Sequence, residues 1–427
     1  MNILQITPGA GGMYCGACFR DNALVGAFRR MGHSATLLPL YLPLILDEPD
    51  ESRGLPIFFG GINVYLEQKS ALFRHLPRWL TQWLDSPKLL EWSGKFASRT
   101  RPENVGDLTV SMLKGESGNQ ARELDQLLAW LRDQPKPDVI NLSNVLLIGL
   151  VRRLHEELKT PVMATLQGED TFLDALPPKN REVAWQVLSE RAQEVDRFIA
   201  PSRYFGELMQ GRMGFDQAKL SVVPNGISLA GYEARVAPED PPVLGFFARM
   251  CEDKGLDTLI ESFILLKQRE TTKTLRLMVG GGLGARDQPL VDKIKEQLRQ
   301  LNLLDAVEFC PNLSREEKIA FFRRLTVFST PALYGEAFGL YVIEALAAGV
   351  PVVQPRHAAF PEIIEGTQGG ILCEPGDPGV LADGIEALLK DSERARVMGE
   401  RGRQAVLKHY SVDAMATRIV EVYEKLT

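Results

Sequence analysis

The chain has 427 residues, 45% hydrophobic and 24% charged, with a formal net charge of -6 and a pI near 5.6; this is room for two or three domains, each with its own core, and the mild acidity argues against nucleic acid as a partner. Five cysteines, at positions 15, 18, 251, 310 and 373, are too few and too scattered for a disulfide framework and fit a reducing compartment. The longest apolar run, around Val145 to Val151, is well short of the roughly 20 residues a membrane-spanning helix needs, so a cytoplasmic protein is expected.

The opening Met1 to Gly9 lacks a basic leader segment and reads as a strand and a turn. Asn2 to Thr7 is mostly apolar, as a strand covered on both faces should be, and the turn Pro8-Gly9-Ala10-Gly11-Gly12 leads into a helical pattern through Met31. Gly32 ends that helix and Ser34 to Leu40 is the next strand, which makes a βαβ unit. Gly11 and Gly12 let the backbone approach a phosphate or a sugar, but the run is a loose match to the dinucleotide fingerprint and no suitable acid ends the second strand, so NAD is not expected. In the same turn, Cys15 and Cys18 form a CxxC. It suits a redox pair or half a metal site, yet no second pair or nearby histidine completes a zinc site, which leaves packing as the simplest reading.

Residues 42 to 105 do not alternate strand with helix. Within them, 72–101 carries Trp79, Trp83 and Trp92 with more Arg and Lys than acids, the make-up of a helix in a membrane interface or lining an acceptor cleft, with core packing as the plainer option. Glu123 to Asp133 and Leu146 to Leu158 read as helices, and the segment led by Pro137-Asp138-Val139-Ile140 and Pro161 to Leu166 as strands. The second of these strands ends in Gln167-Gly168-Glu169-Asp170. Polar residues there are placed where open α/β sheets hold ligands, although acids in loops are also commonly just solvated. Val195 to Pro201 and Leu220 to Pro224 are two further strands.

Gly231 to Pro242 is the natural linker, dividing a domain over 1–230 from one over 243–410, with a terminal helical piece over 411–427. Val243 to Phe247 is a strand, followed by Arg249, Lys254 and a helix from about Leu256. A lysine at a helix start opposes the macrodipole, so Lys254 is expected to face an anion, with Arg249 adding a bidentate grip. Leu275 to Val279 ends in Gly280-Gly281-Gly282-Leu283-Gly284, either a phosphate cradle or a flexible turn. Val307 to Phe309, Val327 to Ser329 and Val350 to Val353 complete the strands, and Val412 to Leu426 is the last helix. Between the last two strands, Glu336 precedes a helix that carries Glu344 eight positions later. Eight residues is a little over two turns, so both acids lie on roughly one face, with the free amides of Phe338, Gly339 and Leu340 between them as an anion site. Two doubly wound α/β domains facing each other across a cleft is the economical architecture.

At these residues the sequence resembles the retaining GT-B glycosyltransferases of the group-1 family, glycosyltransferase family 4. Glu336 and Glu344 match its E-x7-E motif, and Arg249 and Lys254 its diphosphate-binding cations. The resemblance implies two Rossmann-like domains, the first binding the acceptor and the second a nucleoside diphosphate sugar, with the terminal helix returning to the first. It implies catalytic roles for Glu336, Arg249 and Lys254; donor contacts from Gly11, Gly12, Phe338, Gly339 and Leu340; and ribose binding by Glu344. Base-reading backbone groups are expected around Cys310 and Asn312. Gln167 stands where many members have a sugar-contacting histidine, so Gln167 or Asp170 would take that contact. No metal or other cofactor is expected, and the acceptor is a saccharide, a lipid-linked sugar or a small metabolite. A sugar-nucleotide epimerase and a non-catalytic sugar-nucleotide-binding protein are the competing readings.

Overall fold

The computed structural model describes residues 1–9, 16–44, 46, 49–60, 68, 102–232 and 240–426. Gly11, Gly12, Cys15 and the tryptophan-bearing stretch 72–101 lie outside the described residues. The chain forms two units, Met1–Pro224 with Met415–Thr427, and Asn225–Ala414.

In the first unit six parallel strands run in the order β2-β1-β3-β4-β5-β6: β1 (Asn2–Thr7), β2 (Ser34–Pro39), β3 (Val139–Leu142), β4 (Val162–Thr165), β5 (Arg197–Ala200) and β6 (Leu220–Val222). Parallel strands need crossovers, and α1 (Gly16–Arg30), α2 (Pro102–Leu113), α3 (Ala121–Arg132), α4 (Val151–Leu158), α5 (Glu169–Asp174), α6 (Pro178–Ala192) and α7 (Arg203–Met213) lie between them. The stretch expected as one helix over 146–158 divides into a 3-10 turn, Val145–Leu150, and α4; the Asn144 side chain accepts the Leu146 amide and holds the tighter turn. The central strands are buried on both faces, yet they carry a polar row: the Asn141 amide donates to Gln5 at 2.8 Å and to Thr165 at 3.1 Å. Such a row fixes the register of β1, β3 and β4 because a one-residue slip would leave its members unpaired in the core.

The second unit repeats the design in the order β12-β11-β10-β7-β8-β9, with β7 (Val243–Phe247), β8 (Arg276–Gly281), β9 (Val307–Pro311), β10 (Val327–Phe328), β11 (Val352–Pro355) and β12 (Gly370–Cys373). Its helices are α8 (Leu256–Lys267), α9 (Gln288–Gln300), α10 (Arg315–Arg324), α11 (Leu340–Ala347), α12 (Phe360–Thr367), α13 (Pro378–Lys390), α14 (Ser392–His409) and the start of α15 (Val412–Tyr423). Phe247, Phe321, Phe322 and Phe328 interlock in its core with ring centroids 5.2 to 5.6 Å apart, each burial contributing roughly 2–3 kcal/mol. The far end of α15 belongs to the first unit, where the Tyr423 ring meets Phe28 at 6.0 Å. Residues 225–231 lie with the second unit: Arg315 of α10 donates to the carbonyls of Ser228 and Ala230, and Arg323 to that of Gly231.

Strand order reverses between β7 and β10. Open α/β sheets form their ligand crevice at the carboxyl ends of the strands on either side of such a reversal. The segments that leave those two ends carry Arg249 and Lys254 after β7, and Tyr334 and Glu336 after β10.

Candidate active site

Two backbone contacts clamp these segments together. The Leu333 amide donates to the Asp253 carbonyl at 3.0 Å. Gly255, at φ +70, approaches Pro331 so closely that a Cβ would stand 2.0 Å from its carbonyl oxygen, so only glycine fits. A short 3-10 turn, Glu252–Lys254, ends at this glycine and aims the Lys254 side chain at the β10 loop.

Lys254 meets the carboxylate of Glu336 at 2.5 Å, with side-chain exposures of only 18% and 13%. Its ammonium also donates to the Tyr334 hydroxyl and lies 4.6 Å from the centroid of that ring. The anion that Lys254 was expected to face is thus, first of all, a residue of this chain. Glu336 Oε2 further accepts the hydroxyls of Tyr334 at 2.9 Å and Tyr341 at 2.8 Å. Burial by itself raises the Glu336 carboxyl, but the Lys254 charge and the two phenols outweigh it and hold the group below the usual carboxylate range. Burial, reinforced by Glu336, pushes both phenols upward, Tyr341 well above its ordinary value. They therefore remain O–H donors across the neutral range.

Helix α11 begins after Gly339, which sits at φ +95 with Phe360 3.1 Å from where a Cβ would be. No described residue accepts the amides of Phe338, Gly339 or Leu340, so these donors stand unused at the N-terminus of the helix. Glu344, further along α11, pairs with Lys318 of α10 at 2.8 Å, both side chains nearly buried at 12% and 9% exposure. The two acids predicted to share one face are thus each held by a lysine of their own.

Arg249 is the accessible cation: its side chain is 52% exposed, with Asp253 and Asp287 no nearer than 3.8 and 3.5 Å. Packing requires the first two glycines of the run, which close β8. A Cβ on Gly281 would lie 2.0 Å from the Ala248 carbonyl and one on Gly280 2.7 Å from Phe247. Asn312 holds the same loop: its amide donates to Gly281 at 2.8 Å, and its side chain exchanges two 3.0 Å bonds with the backbone of Leu283. Cys310 is in register with Gly280 on β9, half-buried, its thiol pushed up to about 11 by burial and by Glu308.

Gln167 and Asp170 belong to the first unit. The Gln167 side chain donates to the Ser143 carbonyl at 2.7 Å. Its backbone amide donates to Glu169 at 2.7 Å, and the other Glu169 oxygen accepts the Val145 amide at 3.1 Å. Burial raises Glu169 to about 7. Asp170 is 8% exposed, and its Oδ1 is buried with no described partner. Among the described residues no group of three or more His, Cys, Asp or Glu is arranged to hold a metal ion, and no helix is long and apolar enough to cross a membrane.

Sequence reasoning missed Tyr334, Tyr341 and Lys318. Tyr334 and Tyr341 stand close to Glu336 in sequence, and a polar-tipped ring beside a buried acid was the available signal. Lys318 lies in the charged run Arg315-Glu316-Glu317-Lys318, which offers no hint that one of the four is buried.

The family model described as glycosyl transferases group 1 matches residues 233–405, and that described as glycosyltransferase family 4 matches residues 108–230. Among curated proteins, D-inositol 3-phosphate glycosyltransferase of Kineococcus radiotolerans is 28% identical over 348 residues, 76% of this chain and 77% of that protein. The enzyme of the same name from Nocardia farcinica is 28% identical over 238 residues, about half of each chain at 53% and 52%. Glycogen synthase of Mycobacterium tuberculosis is 25% identical over 300 residues, 67% of this chain and 69% of that protein. Of solved structures, sucrose-phosphate synthase from Thermosynechococcus elongatus aligns with a TM-score of 0.71 at 18% identity, covering 100% of this chain and 99% of that one. Anabaena Alr3699/HepE in complex with UDP aligns with a TM-score of 0.66 at 16% identity, covering 100% of both. The two parallel α/β units have the GT-B fold, and the family models that match them in turn are both glycosyltransferase models. The chain belongs to the group-1 glycosyltransferases, glycosyltransferase family 4.

Proposed function

We propose that the enzyme moves a hexose-type sugar from a nucleoside diphosphate sugar to an acceptor hydroxyl with retention of anomeric configuration. The observation that carries this reading is the Glu336 carboxylate, held ionised by Lys254 next to three amides at a helix start that no described residue accepts. The amides of Phe338, Gly339 and Leu340 suit the distal phosphate, Arg249 and Lys254 the diphosphate charge, Glu344 the ribose hydroxyls and Glu336 the donor sugar. Backbone groups near Cys310 and Asn312 are the proposed base readers. Gly11 and Gly12, with Gln167 or Asp170, are the further donor contacts that the family resemblance implies.

In the reaction the bond between the anomeric carbon and the diphosphate oxygen breaks, its electron pair leaving with the diphosphate. The acceptor oxygen bonds to that carbon on the same face, and the acceptor proton passes to the departing phosphate oxygen. Fixed positive groups aimed at the leaving diphosphate stabilise the charge that develops there, and this assignment requires no metal. The curated relatives bear unlike names, D-inositol 3-phosphate glycosyltransferase and glycogen synthase, whereas a neighbour of the same fold holds UDP, which supports the donor half of the reading.

The test begins with thermal shifts in UDP, GDP, ADP and dTDP, since a ligand bound only by the native state raises the midpoint. Glu344→Ala should weaken binding of the nucleotide so identified, and Glu336→Ala should mainly slow nucleoside diphosphate release from its sugar conjugates. Parental affinity in the first variant together with a parental rate in the second would overturn the assignment.

A further inference from the structure

Glu336 is held unevenly. Lys254 Nζ, Tyr334 Oη and Tyr341 Oη all converge on Oε2, while among the described residues none donates to Oε1. The two phenols come from opposite ends of the segment, Tyr334 from the β10 loop and Tyr341 from the first turn of α11, and each is fixed by its neighbours. The Tyr341 ring packs 6.1 Å from Phe328 and 6.4 Å from Phe360, and Tyr334 lies under the Lys254 ammonium. A carboxylate that only needed neutralising would be served by Lys254 alone. Three donors on one oxygen set the plane of the carboxylate and the direction of the other oxygen.

We propose that Tyr341, with Tyr334, is a positioning residue for transfer: the phenols and Lys254 commit Oε2 of Glu336 to the protein and leave Oε1 as the oxygen that meets the donor sugar. This rests on the reading that Glu336 contacts that sugar. Removing one phenolic hydroxyl frees the carboxylate to rotate and takes away a donor that favours its ionised form, so the site loses both geometry and charge at lower pH. The other titratable or charged groups on this side are Cys251 and Asp253, which face the phenols from the β7 loop, and His357, whose ring is 6.0 Å from Phe360. The Ala359 amide, just ahead of α12, donates to the Glu336 carbonyl, and Phe360 of α12 packs against the Tyr341 ring.

The experiment measures nucleoside diphosphate release from UDP-glucose, ADP-glucose and GDP-mannose, with inositol 3-phosphate or a glucan as acceptor, as a function of pH. In Tyr341→Phe the proposal expects kcat to fall about tenfold with donor KM within about threefold, the size of one hydrogen bond to a charged group lost near the reacting centre. It also expects the acid limb of the kcat profile to move to higher pH. In a Glu336→Gln background the same change should cost nothing further. Parental kcat and an unmoved acid limb overturn the proposal, as does an equal loss in the Glu336→Gln background. If Tyr341→Phe lowers the thermal midpoint enough to obscure its kinetics, Tyr334→Phe carries the same expectations and the same refutation. A Glu336→Ala variant with parental turnover would defeat the donor-sugar reading itself. Impaired Glu336→Ala beside a parental Tyr341→Phe would defeat only the positioning role.

Discussion

Glu169→Gln tests whether a buried acid in the first unit titrates where its surroundings require. Burial moves the Glu169 carboxyl from 4.5 to about 7, against the pull of the two backbone amides it accepts. A folded-state value above the unfolded one means that the native protein binds the extra proton between those limits. The contribution of Glu169 to stability is then fully present below pH 4.5 and is lost as pH rises through about 7. A displacement of about 2.5 units at roughly 1.36 kcal/mol per unit gives a change of about 3 kcal/mol over that interval. Glutamine cannot titrate, and its single oxygen accepts only one of the Val145 and Gln167 amides, so the variant starts about 1–2 kcal/mol less stable at pH 4.5. By pH 8 the gap should have closed or reversed. Urea midpoints across this range, followed through the transition of the first unit, provide the measurement. A difference between parent and variant that stays constant with pH would refute the reasoning.

Lys254→Met strands a buried carboxylate with only phenolic partners, and a loss of about 3 kcal/mol is expected by urea denaturation, the usual scale for breaking a buried pair. Because Glu336 lies below its ordinary range, its stabilising contribution is present above that range and fades as pH falls through it; the Glu336→Gln stability profile should therefore be flatter than the parent's on the acid side. Gly339→Ala combines a positive φ with a 3.1 Å contact to Phe360, and should cost about 1–2 kcal/mol in denaturation and weaken nucleoside diphosphate binding by calorimetry. Lys318→Met, which leaves Glu344 buried without its ammonium, should lower the thermal midpoint and reduce the shift produced by nucleotide.

Much of the fold was legible because parallel strands covered on both faces carry unbroken apolar runs such as Val243-Leu244-Gly245-Phe246-Phe247. The α12–β12 unit was harder. There Pro361, Gly366, Gly369 and Gly370 break the pattern before a period can establish itself. The acids of the site were visible from their spacing, but their partners were not. Lys254 and Glu336 are 82 positions apart in the chain, and their meeting depends on the reversal of strand order, which no local period encodes. For the same reason no local pattern showed that Gly280 and Gly281 are required by the close approach of Phe247 and Ala248.

The contacts that join Gly255 to Pro331 and Leu333 to Asp253 have a consequence for how such an enzyme can diversify. An insertion in either loop would pull Lys254 away from Glu336, so neither loop is free to lengthen without losing the ion pair. New substrate preferences must then arise from segments not bound by this clasp. A lineage carrying it inherits one half of its chemistry unchanged while the other half varies.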